Sequence, residues 1–386
     1  MHARTVVAAA SLLAAVAPLK FPIAAQTWGQ YGVTVYSIPS IFTSSIYSVN
    51  NSGQVPGGST ITNQAALFTP SVGVTVVANL GGMSSRAYAI NNSGEIAGKS
   101  FGPDGLVHGF LASGGSTQDL GVFGGSVSDA VVINASGQIA SRGPFGPDHH
   151  AIAFRMTNGV AQDIGSLGSG YSIIEGINDA GQVVGTSTLA NGDQHAYLTV
   201  GGSMQDLGTL GSPFSAGLAV NNAGVAVGFS SLATSNTTQA FVWSGGAMSV
   251  LPGQGLFSMA VDISDNGIVV GTALAPNAFS QTPEGAFWEN TAQGWVAYDL
   301  DRIVADNGNA SWKIIEALGI SDDGRYITAH IDYGNGIDGY SVLAANVAPV
   351  TTVPEPATFA LFGTGLLGFI GTARRRRSFS DSSEMT

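Results

Sequence analysis

Ile177-Asn-Asp-Ala-Gly-Gln-Val-Val-Gly185 decides the fold, because close copies of it recur through most of the chain. They begin at Val49 (VNNSGQVPG), Ile90 (INNSGEIAG), Ile133 (INASGQIAS), Val220 (VNNAGVAVG), Ile263 (ISDNGIVVG) and Ile320 (ISDDGRYIT). Successive starts, with Ile177 in its place, are 41, 43, 44, 43, 43 and 57 residues apart. A fixed period in this range marks a repeat architecture in which one supersecondary unit recurs side by side.

Each copy reads as a hairpin. An apolar residue, an Asn or Ser, two mostly small polar residues and a Gly lead into a β-branched run such as Val183-Val184 or Ile268-Val269-Val270. The Asn or Ser side chain bonds the backbone two residues on, and the Gly accepts φ > 0 without a Cβ clash. A second phrase follows, fullest as His195-Ala-Tyr-Leu-Thr-Val-Gly-Gly-Ser-Met-Gln-Asp-Leu-Gly-Thr-Leu-Gly211, with partial copies at 108–124, 150–168 and 239–253. It adds a strand, a Gly-Gly turn and another strand. Each period therefore holds four short strands, the content of one propeller blade.

The two ends of the array are complementary. Tyr31–Pro39 (YGVTVYSIP) precedes any complete repeat and resembles a fourth strand, whereas the last unit runs from Trp312 to Tyr340–Leu343 and stops without one. The expectation is an all-β, seven-bladed β-propeller of four-stranded repeats spanning 26–348, its last blade completed by the N-terminal strand. Such a clasp removes two open sheet edges. An open β-solenoid is the competing architecture, and it would leave Tyr31–Pro39 unpaired with the last repeat. The longer last interval follows from an insertion at 301–311, a surface loop or short helix on which binding groups have room to sit.

Residues 1–25 read as a secretory signal peptide: His2 and Arg4, an apolar stretch from Val6 to Ala17, and small residues Ala24-Ala25 before Gln26. Of the 25 acidic and 13 basic residues in the chain, 22 and 7 lie within 26–353. This acidity argues against nucleic acid as a partner, since phosphates call for clustered Lys and Arg. The chain has no cysteine, so an exported fold must be held by its core alone, which this length permits.

Small-His-Ala-Phe phrases, Asp-Leu-Gly-x-Leu-Gly endings and INxxGxxxG hairpins together resemble the HAF-type extracellular repeat proteins over about Tyr31 to Leu343. The resemblance implies a secreted repeat protein without an assigned enzymatic activity. The His stands at 108, 150 and 195 and is replaced by Gln64 and Gln239, while Glu284-Gly-Ala-Phe-Trp288 fits within one residue.

The C-terminal segment, 349–386, carries a separate signal. Val353-Pro-Glu-Pro-Ala357 precedes an apolar run, 358–373, and the cluster Arg374, Arg375, Arg376 and Arg377. Sixteen residues at a helical rise cover about 24 Å, short but sufficient for a transmembrane helix with snorkelling arginines, whose charge keeps that end cytoplasmic. The order Pro354-Glu355-Pro356, apolar helix, Arg cluster resembles the PEP-CTERM sorting domain of exopolysaccharide-producing Gram-negative bacteria. That resemblance implies recognition and processing by an exosortase. The tail Ser378–Thr386 departs from the usual ending at the basic cluster. A plain single-pass anchor is the bland alternative, and it gives Pro-Glu-Pro no role.

Chemistry is sparsely encoded. His108, His150 and His195 occupy one repeat position and read as rings bonded within their own blade rather than as metal ligands. Asp119, Asp163 and Asp206 in the Asp-Leu/Ile-Gly phrase, with Asp179, Asp265, Asp322 and Asp323 in the hairpins, read as turn formers, and no pair of carboxylates stands out for glycoside chemistry. No cofactor is expected. Calcium is weighed as a structural ion, but the EF-hand spacing is missing and Asp299-Leu-Asp301 alone is thin. GxSxG, GxxxxGK[ST] and HExxH do not occur, and no catalytic residue is assigned.

Strand polarity nevertheless places a binding face. Loops between the second and third strands and those leading to the next blade emerge together, at 101–106, 145–149, 190–194, 232–238 and 276–284, with the Gly-Ser loops near Gly124, Gly168 and Gly211. They carry Phe101, Phe145, Phe214, Phe257 and Phe279, which either form a shallow sugar-binding surface or cap the core. The expected function is a secreted, exosortase-sorted protein with a structural, adhesive or binding role in the extracellular polysaccharide of a biofilm, briefly membrane-anchored before it reaches the cell surface or medium. The alternative is a polysaccharide hydrolase or lyase on the same scaffold; a scaffold that binds a protein partner is the third class.

Overall fold

The computed structural model describes residues 33–345 apart from 44–46, 78, 123–128, 146–149, 158, 169, 234, 254–256, 275–283, 302–311 and 335–336. The chain divides into two compact units, Met1–Pro349 and Val350–Thr386. The expected signal peptide at 1–25 and the expected membrane helix at 358–373 lie outside the described residues. Among the described residues no helix is long and apolar enough to cross a membrane.

The first unit is built from short antiparallel strands. After β1 (Val33–Ser37), the first four-strand module is β2 (Phe42–Thr43), β3 (Val55–Ser59), β4 (Ala65–Thr69) and β5 (Gly73–Val76). The next is β6 (Ser85–Ile90), β7 (Ile96–Phe101), β8 (Val107–Ser113) and β9 (Ser116–Gly121). Then come β10 (Asp129–Ile133), β11 (Ile139–Phe145), β12 (His150–Thr157) and β13 (Val160–Gly165). They are followed by β14 (Ser172–Ile177), β15 (Val183–Thr188), β16 (Gln194–Val200) and β17 (Ser203–Asp206). Next are β18 (Gly211–Val220), β19 (Ala226–Leu232), β20 (Ser235–Ser244) and β21 (Ala247–Val250), then β22 (Ser258–Ile263), β23 (Val269–Ala273), β24 (Glu284–Thr291) and β25 (Gly294–Asp299). The last module is β26 (Lys313–Ile320), β27 (Tyr326–Gly334) and β28 (Ile337–Ala345).

The fold is an all-β propeller, and the expectation of seven separate blades needs correction. Five sheets stand apart as four-stranded blades, while β14–β17 and β18–β21 belong to one eight-stranded sheet. The link is a single parallel pairing, Gln194 opposite Phe214. It arises because β18 begins early, at Gly211, and runs ten residues, so its first half reaches the start of β16.

The clasp is present. The last sheet has the order β1-β28-β27-β26, with Val33 opposite Ala345, Val35 opposite Leu343 and Ser37 opposite Ser341. Ile38 N then donates to Tyr340 O at 2.8 Å. The open-solenoid alternative, which left this strand unpaired, is thereby excluded.

Apolar side chains collect between modules rather than within them. Alternation along a strand such as β14, buried at Ser172, Ile174 and Gly176 and half-buried between, sends successive side chains to opposite faces. Both faces meet a neighbour. One buried cluster joins Ala89 and Ala97 to Ile133 and Ile139; another joins Val184 and Leu198 to Phe241 and Trp243. The cluster that closes the ring contains Ile38, Phe42 and Val55 from its start and Leu318 and Val342 from its end. Phe110, Tyr197 and Phe241 are fully buried at one repeat position, each contributing roughly 2–3 kcal/mol by area removed from water.

The last Gly of the recurring motif has a steric reason. A Cβ at Gly98, Gly185, Gly228 or Gly271 would lie 2.0–2.1 Å from a carbonyl oxygen of the inner strand beside it. The inner strands approach so closely because each carries a bulge two residues further on, between Ala87 and Ala89, Ile174 and Gly176, Gly217 and Ala219, and Ala260 and Asp262. An extra residue in one strand bends it and tightens its twist.

Candidate functional site

Two opposite ends of the ring are built differently. At one end the hairpins of the recurring motif form a hydrogen-bonded crown around the axis. Asn50 Nδ2 donates to Asn91 O at 3.2 Å, Asn91 to Asn134 O at 3.0 Å, Asn134 to Asn178 O at 2.9 Å, Asn178 to Asn221 O at 3.0 Å and Asn221 to Ser264 O at 3.1 Å. The circuit is completed by Asp265 N to Asp322 O at 2.9 Å and Asp323 N to Asn51 Oδ1 at 3.0 Å. Each Asn also folds its own turn: Asn91 Oδ1 accepts from Ser93 N and Glu95 N. One small side chain thus saturates its turn and ties it to the next, which is why the position favours Asn.

A second belt lies nearer the axis. Asn51 N donates to Asn92 Oδ1, Asp179 N to Asn222 Oδ1 and Asn222 N to Asp265 Oδ1, at 2.8–2.9 Å. Asn92 Nδ2 reaches Asp322 Oδ2 of the last module at 2.7 Å. Burial, with Asp265 nearby, pushes the Asp322 carboxyl up to about 6 despite the Asn92 bond. Asp262, behind it, accepts from Ile320 N at 2.8 Å and Ile263 N at 2.8 Å, and burial drives it to about 7. These acids are spent on backbone donors and on one another's amide partners. Among the described residues no group of three or more His, Asp or Glu is arranged to hold a metal ion.

The opposite end carries the longer loops, and here the second repeat phrase is explained. His108 Nδ1 lies 2.8 Å from Asp119, and His195 Nδ1 lies 2.9 Å from Asp206, each within its own module. The Asp Oδ1 also accepts a backbone N–H two residues on, from Gly121, Gly165 and Gly208 at 2.7 Å. A small residue of the third strand donates its N–H to a Ser of the following module: Ala65 to Ser85, Ala153 to Ser172, Ala196 to Ser215 and Ala240 to Ser258. In the third module the register puts Ile152, not His150, at the position that His108 and His195 hold, a correction to the expected equivalence of the three His. His108 has a further partner, Asp104, 3.1 Å from Nε2. Burial opposes charge on this ring, but Asp119 and Asp104 outweigh it and raise its pKa.

The aromatic residues singled out from the sequence are distributed around the ring. Phe101 ends β7, half-buried beside the Gly82 backbone. Phe214 lies against Phe229 with ring centroids 5.7 Å apart. Phe257 forms a parallel bridge with Thr238 and is half-buried. Phe145 ends β11, paired with His150; its side chain, that of His150 and all of Phe279 lie outside the described residues. So do most of the 301–311 insertion, Pro354, Glu355, Pro356 and Arg374–Arg377.

One junction departs from the repeat, and the sequence reading passed over it. Across each module a row of three residues runs from inner strand to third strand: Arg86, Lys99 and Gly109; Ile173, Thr186 and Ala196; Met259, Thr272 and Gly285. In the last module the row is Glu316, His330 and Tyr340. The signal was available: a Tyr replaces the small residue that carries the inter-module N–H, and a Ser, Ser341, replaces the aromatic after it.

The comparisons with known proteins address the two units separately. Residues 352–377 match the PEP-CTERM protein-sorting motif. That motif is the signal read by an exosortase, so exosortase is a partner of the chain and export with a transient membrane anchor is its route. Among curated proteins none matches the sequence. Among solved structures the chain is similar to a putative TolB from Agrobacterium tumefaciens, at 12% identity and TM-score 0.40 over 56% of this chain and 87% of that one. It is also similar to TolB from Acinetobacter baumannii, at 13% identity and TM-score 0.39 over 66% and 65%. The β-propeller domain of the Trilobed protease from Pyrococcus furiosus gives 9% identity and TM-score 0.46 over 65% and 82%.

Proposed function

We propose that the mature protein is a non-enzymatic, HAF-type binding scaffold of the extracellular polysaccharide layer, holding polymer through the loop end of its ring. The observation that carries this reading is the pairing of a sorting motif at 352–377 with a ring whose chain ends, Val33 and Ala345, lie opposite one another. Both stand beside the crown, where Ala345 N donates to Arg325 O at 3.0 Å, so neither described end crosses the loops. A rigid ring with a free loop end suits repeated weak contacts with a polymer, where several modest sites act together. The His–Asp pairs belong to the repeat and hold strands together, which favours binding over hydrolysis or elimination.

The test is co-sedimentation of the secreted protein with polysaccharide purified from the producing cells. Binding that saturates, together with an unchanged polymer chain length after prolonged incubation, is the expected result. Shortening of the polymer would replace this reading with the hydrolase or lyase alternative, and protein left wholly in the supernatant would remove the polymer-binding role.

A further inference from the structure

The repeat breaks most sharply at the junction between the last module and the first. Glu316, His330 and Tyr340 stand side by side across β26, β27 and β28. The His330 and Tyr340 rings lie 4.9 Å apart at 36°, and His330 Nε2 is 3.0 Å from Asp338 Oδ2. A bulge between Ile314 and Glu316, additional to the recurring one between Ala317 and Gly319, falls at the row itself. Bulges of this kind re-aim a side chain. The corresponding rows begin Ser172-Ile173, Ser215-Ala216 and Ser258-Met259 with no interruption.

From the first module Tyr47 joins the group. Its carbonyl oxygen lies so near Gly319 that a Cβ there would sit 2.8 Å away. That contact sets Tyr47 three residues along β26 from Glu316, and burial, with Glu316, Tyr340 and Glu175, raises the Tyr47 hydroxyl pKa. Yet Tyr47 is 62% and Tyr340 39% exposed. Two open phenol rings at this junction, one of them against the His330 ring where every other row ends in Ala or Gly, have no structural duty that the repeat requires.

We propose that Tyr47, Tyr340, His330 and Glu316 form a binding site for an amino-sugar unit of a polysaccharide, one that carries a free, protonated amine. The rings supply faces for the apolar side of a sugar and for cation–π attraction, and Glu316 receives the ammonium in a charge-assisted hydrogen bond. An N-acetylated unit lacks the charge, and a uronate meets carboxylates of its own sign. The site deepens the polymer-binding reading and rests on it.

Titration calorimetry of the full-length protein with a glucosamine tetramer tests it, with the N-acetylglucosamine and galacturonate tetramers alongside. Binding of the first alone is expected, weakened at least tenfold by Glu316→Gln and by Tyr340→Ala. The Tyr340→Ala change leaves net charge untouched, so full affinity in that variant would reduce the binding to general attraction of a cation by an acidic protein and overturn the site. Glu316→Gln is isosteric and keeps the test open if Tyr340→Ala fails to fold. Equal affinity for the acetylated tetramer, or no binding at millimolar concentration, would also overturn it. If those outcomes came with intact co-sedimentation on the producer's polymer, the site would fall and the scaffold reading would stand.

Discussion

Val35 lies directly opposite Leu343, a contact between residues that 307 intervening positions separate in the chain. The pair joins the edge of the first strand to a strand of the last module, and Val35 packs against the cluster that contains Leu343, Ile331 and Ala345. With no cysteine elsewhere in the chain, Val35→Cys/Leu343→Cys is a clean probe. Opposed antiparallel positions have Cα separations near 4.5–5.5 Å, which a disulfide spans. Oxidation is expected to give one intramolecular cross-link, and closing so long a loop stabilises by up to about 5 kcal/mol in the chain-entropy account. Reducing and non-reducing gels with thermal melts decide the matter; intermolecular dimers instead would point to an open ring.

Asn178 is buried and its side chain makes three hydrogen bonds at the crown: Nδ2 to Gln182 Oε1 and Asn221 O, Oδ1 from Gln182 N. Asn178→Ala strands buried backbone groups and is expected to cost about 2–4 kcal/mol in urea unfolding. Asn178→Asp, nearly the same shape, should cost at least as much, because a buried carboxylate has no donor to give to Asn221 O. An aspartate variant as stable as the parent would remove the ladder from the account.

The two kinds of glycine in the repeat separate cleanly. A Cβ at Gly185 would lie 2.0 Å from Ile173 O, whereas at Gly192 (φ +93) it would meet nothing within 4 Å. Gly192→Ala pays only backbone strain, of order 1 kcal/mol, and should express and melt near the parent. Gly185→Ala must push the inner strand aside and is expected to lose most soluble expression. Similar yields and melting temperatures for both would contradict the close approach.

Three carboxyls, Asp262, Asp301 and Asp322, are raised to about 7, about 6 and about 6, in each case chiefly by burial. Each therefore holds a proton in the folded ring that the unfolded chain has already released above its ordinary value of 3.8. Stability from these groups is greatest below about pH 4 and falls as pH rises toward 7. Calorimetry should show a lower melting temperature at pH 8 than at pH 5. Asp322→Asn keeps an acceptor for Asn92 Nδ2 and should recover on the order of 1–3 kcal/mol at pH 8 with little change at pH 5. An unchanged difference between the two pH values would show that this axial carboxyl does not carry it.

Much of this architecture was legible because the sequence repeats itself. The period gave the four-strand module, and the mismatch between Tyr31–Pro39 and the unfinished last unit gave the clasp later found as β1 against β28. What escaped was of two kinds. The merger of two modules depends on how far β18 extends beside β16, a tertiary register that one pairing, Gln194 with Phe214, decides and no local pattern encodes. The Asn crown was read as turn chemistry alone, since the bond from each Asn to the next module needs the modules already set side by side. The row Glu316, His330 and Tyr340 was visible as departures from the motif, but only the ladder shows that the three departures touch.

The exported, exosortase-sorted scaffold stands or falls on the fate of the C-terminal segment. Intact-mass and C-terminal peptide analysis of the protein recovered from the producing cell's surface and medium should find a chain that ends near Pro354–Pro356 and lacks Arg374–Arg377. Mature protein that still carries Arg374–Arg377 would contradict sorting and leave a permanent membrane anchor in its place.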